Sequence, residues 1–195
     1  MAVGRPIQFN PDDVVGAAMR AFWAKGYEAT SLQDLLEATS LSKSSLYQAF
    51  GGKKQLFGRC VESYTDQMVA MLRDRLANSS TELAFIKDTL TDIATEGART
   101  KAPQGCLLMN TAAEFGQRDP HFAGWVEVGM GRIRAVMELA VRRSQAKGQM
   151  TQERSAATLA DYLMSVIAGL RTMVKAGTPP KTLRGVVDVV LKTIS

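Results

Sequence analysis

Apolar residues in this chain recur three and four positions apart, and nowhere do they alternate with period two over a useful length. The pattern predicts an all-α protein. Val14, Val15, Ala18, Ala21 and Phe22 trace a first helix, opened by Asn10-Pro11-Asp12-Asp13 and stopped at Gly26. Asparagine supplies the N-cap, proline suits the first helical position, and the two acids face the positive end of the helix dipole. Leu32, Leu35 and Leu36 give a short second helix one apolar face, with Ser31 and Asp34 as an Asp variant of the capping box. Ser42 opens a third helix of roughly two turns through Gln48. Gly51-Gly52 then separates it from a long helix, Lys53 to about Leu76, striped by Leu56, Phe57, Cys60, Tyr64, Met68 and Met71.

A polar break from Asn78 to Thr81 marks a change in the chain. Helical patterns follow at about 82–100, 104–115, 120–146, 153–176 and 179–194, ended by Lys101-Ala102-Pro103, Gly116, Gly148 and Gly177. The last two helices are apolar along two faces: Leu159, Tyr162, Leu163, Val166, Ile167 and Leu170, then Leu183, Val186, Val187, Val190 and Leu191. A surface helix of a monomer needs only one such stripe. The second predicts cover by another helix, from a partner subunit or from the same chain.

Between the second and third helices lie about four residues, Thr39 to Ser42, the turn length of a DNA-binding helix-turn-helix. The third helix presents Lys43, Ser44, Ser45, Tyr47 and Gln48, side chains that suit phosphates or base edges. No Asp or Glu occurs from Ala38 to Val61, whereas Lys43, Lys53, Lys54 and Arg59 do. That run predicts a phosphate-facing surface. Ahead of it, Gly4-Arg5-Pro6 on a short arm makes Arg5 a candidate for a narrow minor groove.

The run G-Y-E-A-T-S-L-Q-D-L-L, then L-S-K-S-S-L-Y-Q-A-F-G-G-K-K-Q-L-F, resembles the signature of the TetR family of bacterial transcriptional regulators. Gly26, Tyr27, Thr30, Leu41, Ser42, Leu46, Tyr47, Phe50, Lys53 and Leu56 carry the resemblance. Two positions depart: Ser40 stands where the family usually has the turn glycine, and Leu36 where it often has alanine. The resemblance covers the first third of the chain. It implies about nine helices: an arm (1–9), a helix-turn-helix head (10–54) and a ligand-binding and dimerisation domain (55–195), with 53–76 a connecting helix.

It also implies a homodimeric, operator-binding regulator, more often a repressor than an activator, released by a small-molecule effector. Ser31, Ser42, Ser44, Tyr47 and Lys53 then become phosphate contacts, and Lys43, Ser45 and Gln48 candidates for base edges. Dimerisation through the last two helices would engage Leu163, Ile167, Leu170, Leu183, Val187 and Val190. An effector cavity would draw on Cys106, Met109, Phe115, Trp125, Met137, Met164, Met173 and Lys175. Methionine adapts to irregular shapes, and the ten methionines in this chain suit either a pocket or a plain core.

Composition adds little. With 195 residues, 46% apolar and 22% charged, a globular soluble protein with a real core is expected, and a net charge of +5 weakly favours a polyanionic partner. No apolar run approaches the roughly 20 residues of a membrane span. The start of the chain lacks a signal core, and two cysteines fit a reducing cytoplasm. A single histidine, His121, cannot build a His-rich metal site, and no cofactor motif is present. His121 reads as a surface or capping residue, and Glu114, the one acid of an apolar helix, as a salt-bridge partner. Gly105-Cys106-Leu107-Leu108 places a cysteine in the first turn of a helix, where the dipole favours a thiolate. Cys106 is thus a candidate sensor of oxidants or electrophiles, with Lys175 as a candidate neighbouring cation; a packed residue is the alternative. Two other readings stay open: an all-α enzyme with Cys106 as nucleophile, and a helical protein-interaction module.

Overall fold

The computed structural model describes residues 9–100 and 103–195, which form nine helices and no strand. Pro11–Lys25 is α1, Leu32–Thr39 α2 and Lys43–Phe50 α3; Lys53–Asn78 is the long α4 and Glu82–Arg99 is α5. Leu107–Phe115 forms α6, Pro120–Ala146 α7, Ala156–Lys175 α8 and Pro180–Ile194 α9. Most starts are set by a side chain that accepts an otherwise orphaned backbone N–H. Asn10 accepts from Asp12, Ser42 from Ser45, Thr81 from Ala84, Asp119 from His121 and Ser155 from Thr158. Ser31 and Asp34 complete a reciprocal capping box ahead of α2. The Arg5 expectation lies outside the described residues.

Two starts differ from the sequence pattern. α6 begins at Leu107, not near Gln104, so Cys106 is its N-cap residue and makes no side-chain cap. Gly105, at φ 72, bends the backbone just before it. α8 begins at Ala156, because Ser155 caps it and the stretch from Thr151 to Ser155 is irregular. α8 has the length and composition of a marginal membrane span, as buried core helices can, and that alone does not make it one. Here it packs against α5 and α7, with Leu159, Leu163, Leu170 and Val174 in the core.

A single apolar cluster runs from Val15 in α1 to Ile194 in α9. α4, about 39 Å long at 1.5 Å per residue, joins its two ends. α1 packs on the first half of α4, while α7 crosses it closely. At that crossing a Cβ on Gly58 would come within 2.6 Å of the Trp125 ring, and one on Gly129 within 2.9 Å of Leu108 and Thr65. A larger residue at Gly58 would have to displace the Trp125 ring, and one at Gly129 the ends of the Leu108 and Thr65 side chains.

An aromatic cluster fastens the N-terminal helices to the rest. Tyr27 lies 5.1 Å from Phe57 and 4.8 Å from Phe122 between ring centroids, and Phe115 stacks on Phe122 at 3.8 Å. Beside it, Glu114 of α6 accepts hydrogen bonds from the backbone N–H groups of Tyr27 (3.0 Å) and Glu28 (2.6 Å). Glu114 therefore caps the end of the α1 turn and makes no salt bridge among the described residues, where its sequence setting suggested one.

Candidate nucleic-acid interface and ligand cavity

α3 is anchored along one side. Leu46 is fully buried and Phe50 half-buried, with the Phe50 ring stacked on Phe9, whereas Lys43, Ser44, Tyr47 and Gln48 are exposed. The turn before it relies on Ser40 at φ 55 and ψ 25, the left-handed conformation that glycine adopts without strain. Ser42 Oγ accepts from the Ser45 N–H at 3.1 Å and lies 2.9 Å from the hydroxyls of Ser44 and Ser45. Ser45 is half-buried and turned into this cap, so it is a poorer base-edge contact than Lys43 or Gln48. Ser31 is exposed, and its N–H and hydroxyl both donate to Asp34. A hydrogen bond from Lys25, together with those from Ser31, holds the Asp34 carboxyl down to about 2.

The lysines at the start of α4 have separate tasks. Lys53 Nζ sits 4.2 Å over the Tyr27 ring, a cation–π contact that holds its stem against the head while leaving the side chain partly exposed. Lys54 pairs with Asp119 at 2.9 Å, tying α4 to the N-cap of α7. With Lys43 and the exposed Arg59 they come from a run, residues 38–61, that holds no acid, although Lys54 meets Asp119 and Arg59 lies 3.8 Å from Glu62 in space.

Further along α4 a cavity of about 280 Å³ opens among α4, α5, α6, α7 and α8. Met68, Met71, Met109, Met130, Met137 and Met164 supply most of its apolar wall. The opposite wall is polar: Thr89, Asp92, Glu96 and Arg99 of α5, met by Arg75 of α4 and Arg171 of α8. Arg75 pairs with Asp92 at 2.5 Å, and Arg171 with Glu96. At the α6 end, the Tyr64 hydroxyl donates to Cys106 Sγ at 3.4 Å. Burial pushes the Tyr64 phenol well above its ordinary value, so it remains a donor.

The two domain families matched by this sequence bracket both of these sites. Residues 14–60 match "Bacterial regulatory proteins, tetR family", and residues 83–190 match "Tetracyclin repressor-like, C-terminal domain". The second match alone spans more than half of the chain. This chain belongs to the TetR family. It is a DNA-binding transcriptional regulator of that family. Among its relatives are the HTH-type transcriptional repressor ComR of Escherichia coli (strain K12), 28% identical, the alignment covering 97% of this chain and 90% of ComR. The HTH-type regulator YezE of Bacillus subtilis (strain 168) is also 28% identical, over 98% of this chain and 100% of YezE. Among solved structures, the TetR-family regulator CifR, a cysteine mutant complexed with a 26-bp double-strand operator DNA, superposes with a TM-score of 0.84. It is 27% identical and covers 98% of this chain and 100% of its own.

In this TetR-family regulator the sequence-derived cavity set divides. Cys106, Met109, Met137 and Met164 line the cavity. Phe115 and Trp125 belong instead to the aromatic cluster around Phe122. Met173 packs on the core outside the cavity, and exposed Lys175 hydrogen-bonds Asn110 Oδ1 at 3.1 Å, so neither lines it. Of the six dimer candidates, Leu163, Leu170, Leu183, Val187 and Val190 are buried within the protomer itself. The α5 and α7 helices of the same chain cover that stripe, and Ile167 lines the cavity. The less buried positions are Tyr162 and Val166 on α8 and Val186 on α9, all half-buried, with Gly169 and Val189 exposed. The polar wall of the cavity escaped the sequence reading. Its one available signal was the spacing of Thr89, Asp92, Glu96 and Arg99 on a single face of α5.

Proposed function

We propose that this TetR-family regulator is a homodimeric repressor that binds a near-palindromic operator in the cytoplasm and leaves it when an effector fills the α4–α8 cavity. The observation that carries this reading is the exposed face of α3, where Lys43, Ser44, Tyr47 and Gln48 project from a helix otherwise held by Leu46. Lys43 and Lys53, in a run without acids, favour a polyanion at that helix, and the likeness to operator-bound CifR supports operator DNA as that polyanion. In this reading residues 10–54 form the reading head and 55–195 the ligand and dimer domain. Two α3 helices enter successive major grooves, with half-sites about one helical turn, roughly 34–36 Å, apart or a multiple of it. Lys53, Ser31, Ser42, Ser44 and Tyr47 serve phosphates; Lys43 and Gln48 serve base edges, with Ser45 in a supporting place.

Release follows if the effector binds better to a conformation whose heads are badly spaced, so that filling the cavity shifts the population. Cys106 gives thiol-reactive molecules a second route to the same wall, since modification there adds bulk beside Tyr64. The deciding experiment selects bound sequences from random DNA with the purified protein, then measures anisotropy against salt for variants. Lys53→Ala should weaken binding to all sequences alike and lower the salt slope by about one. Gln48→Ala should relax preference at one position of each half-site. Wild-type affinity and selectivity in both variants would overturn this use of the head.

A further inference from the structure

The two walls of the cavity are unlike, and together they define a ligand, provided the cavity is the effector site as proposed above. Thr89, Asp92, Glu96 and Arg99 lie on one face of α5, and every charged residue in the cavity lining belongs to this wall or reaches it. Three guanidiniums, those of Arg75, Arg99 and Arg171, meet two carboxylates, Asp92 and Glu96, leaving one positive charge over. Glu96 is taken by Arg171. Asp92 is shared, with Arg75 at 2.5 Å and Arg99 only at 3.8 Å. Arg99 also donates to the Asp92 carbonyl at 3.1 Å, which folds its guanidinium back along α5 at the open edge of the cavity, 61% exposed and without a carboxylate of its own among the described residues. The cation without a full partner therefore sits at the level of Asp92. A ligand anion would complete it, whereas a ligand cation would add to the excess.

Thr89 supplies a second, independent feature. Its side chain is 6% exposed and its hydroxyl has no hydrogen-bond partner among the described residues. Thr65, Thr95, Thr111 and Thr172, also within helices, each donate to the carbonyl four residues earlier. Thr89 does not, although an unpaired buried hydroxyl is costly. It stands three residues before Asp92, about 4.5 Å along the helix axis, and lines the same cavity. The cavity lining also holds six methionines, which adapt to the shape of an apolar body.

We infer that the cavity takes a compact apolar carboxylic acid with a second oxygen function near the carboxylate, such as a hydroxyl or keto group on its β-carbon. The carboxylate completes Arg99, the second oxygen pairs with the Thr89 hydroxyl once that covered group turns into the cavity, and the hydrocarbon lies among the methionines. Calorimetric titration of the full-length protein with octanoate, 3-hydroxyoctanoate, octan-1-ol and octylamine tests it. Octanoate should bind at least about tenfold tighter than the alcohol, and the amine weakest, because a charge-assisted contact is worth roughly that factor or more. Arg99→Gln should erase the acid's advantage and leave the alcohol unchanged. 3-Hydroxyoctanoate should exceed octanoate on wild type and lose that margin on Thr89→Val, while Thr89→Val raises the melting temperature of the free protein. Octylamine binding as tightly as octanoate, an acid preference that survives Arg99→Gln, or no binding by any of the four overturns the inference. Operator binding by the same ligand-free preparation is scored separately, so a failed ligand class and a failed repressor reading give different results.

Discussion

Ser40 shows how a single residue records the demands of a turn. Its φ of 55 is the only positive value among the described non-glycine residues, and it falls between the two helices whose angle presents α3. A side chain in that conformation is disfavoured by roughly 1–2 kcal/mol. Ser40→Gly removes this strain but frees the unfolded chain, so a net stabilisation of about 1 kcal/mol or less is expected. Thermal denaturation should show a rise of about 2–4 °C at most, and a fall would mean that the serine hydroxyl contributes something unseen. The cysteines form a second contrast at this scale. Cys60 is fully buried, hydrogen-bonded to the Val15 carbonyl, and its thiol is pushed up to about 12 by burial. Cys106 is half-buried and lines the cavity. Since the thiolate is the reactive form, iodoacetamide near pH 8 should label Cys106 in the native protein and Cys60 only after unfolding. Equal labelling of the two would place Cys106 in the packing as firmly as Cys60. A bulky ligand in the cavity should slow labelling of Cys106 alone.

Among the elements, α6 is short and doubly employed. Its N-terminal end brings Cys106 and Met109 to the cavity, and its C-terminal end brings Glu114 to the backbone of Tyr27 and Glu28. Glu114→Ala leaves two head N–H groups without their acceptor, at a cost of about 1–3 kcal/mol. Hydrogen exchange should accelerate at the Tyr27 and Glu28 amides, with a melting temperature several degrees lower; unchanged exchange there would show that water replaces the carboxylate without loss. Much of this organisation was legible in the sequence. Caps such as Asn10, Ser31, Ser42 and Asp119 are local signals, because the side chain and the N–H it accepts lie within three residues. The role of Glu114 was not legible, since its partners stand 87 and 86 residues away. The polar rungs of α5 were hidden for a related reason. Asp92, Glu96 and Arg99 look like a solvated face until α4 and α8 bring Arg75 and Arg171 against them. Phe115 and Trp125 had the right chemistry for a pocket, but the aromatic cluster around Phe122 claimed them.

At the scale of the whole molecule, the question is which apolar stripe of α8 and α9 faces a second protomer. Sequence periodicity marks two stripes on each helix and cannot say which one its own chain covers. The fold decides this for the inner stripe: α5 and α7 bury Leu163, Leu170, Leu183, Val187 and Val190. What remains partly open is Tyr162 and Val166 on α8 and Val186 on α9, each half-buried, beside exposed Gly169 and Val189, the latter 63% exposed. Val189 is the most exposed apolar side chain of α9, and family dimerisation makes this stripe the expected seat of a partner. The two stripes predict opposite phenotypes for one substitution. Leu170→Asp buries a carboxylate inside the protomer, so it should lower stability by several kcal/mol and yield little folded protein. Val189→Asp should leave the protomer folded, with helical content preserved. At a two-fold seam it brings matching carboxylates toward each other while removing apolar contact, so sedimentation should shift from dimer to monomer. Operator affinity should fall with it, since a lone head makes half of the contacts, and should recover in part at high protein concentration. A Val189→Asp protein that sediments as an unchanged dimer would move the interface away from these helices.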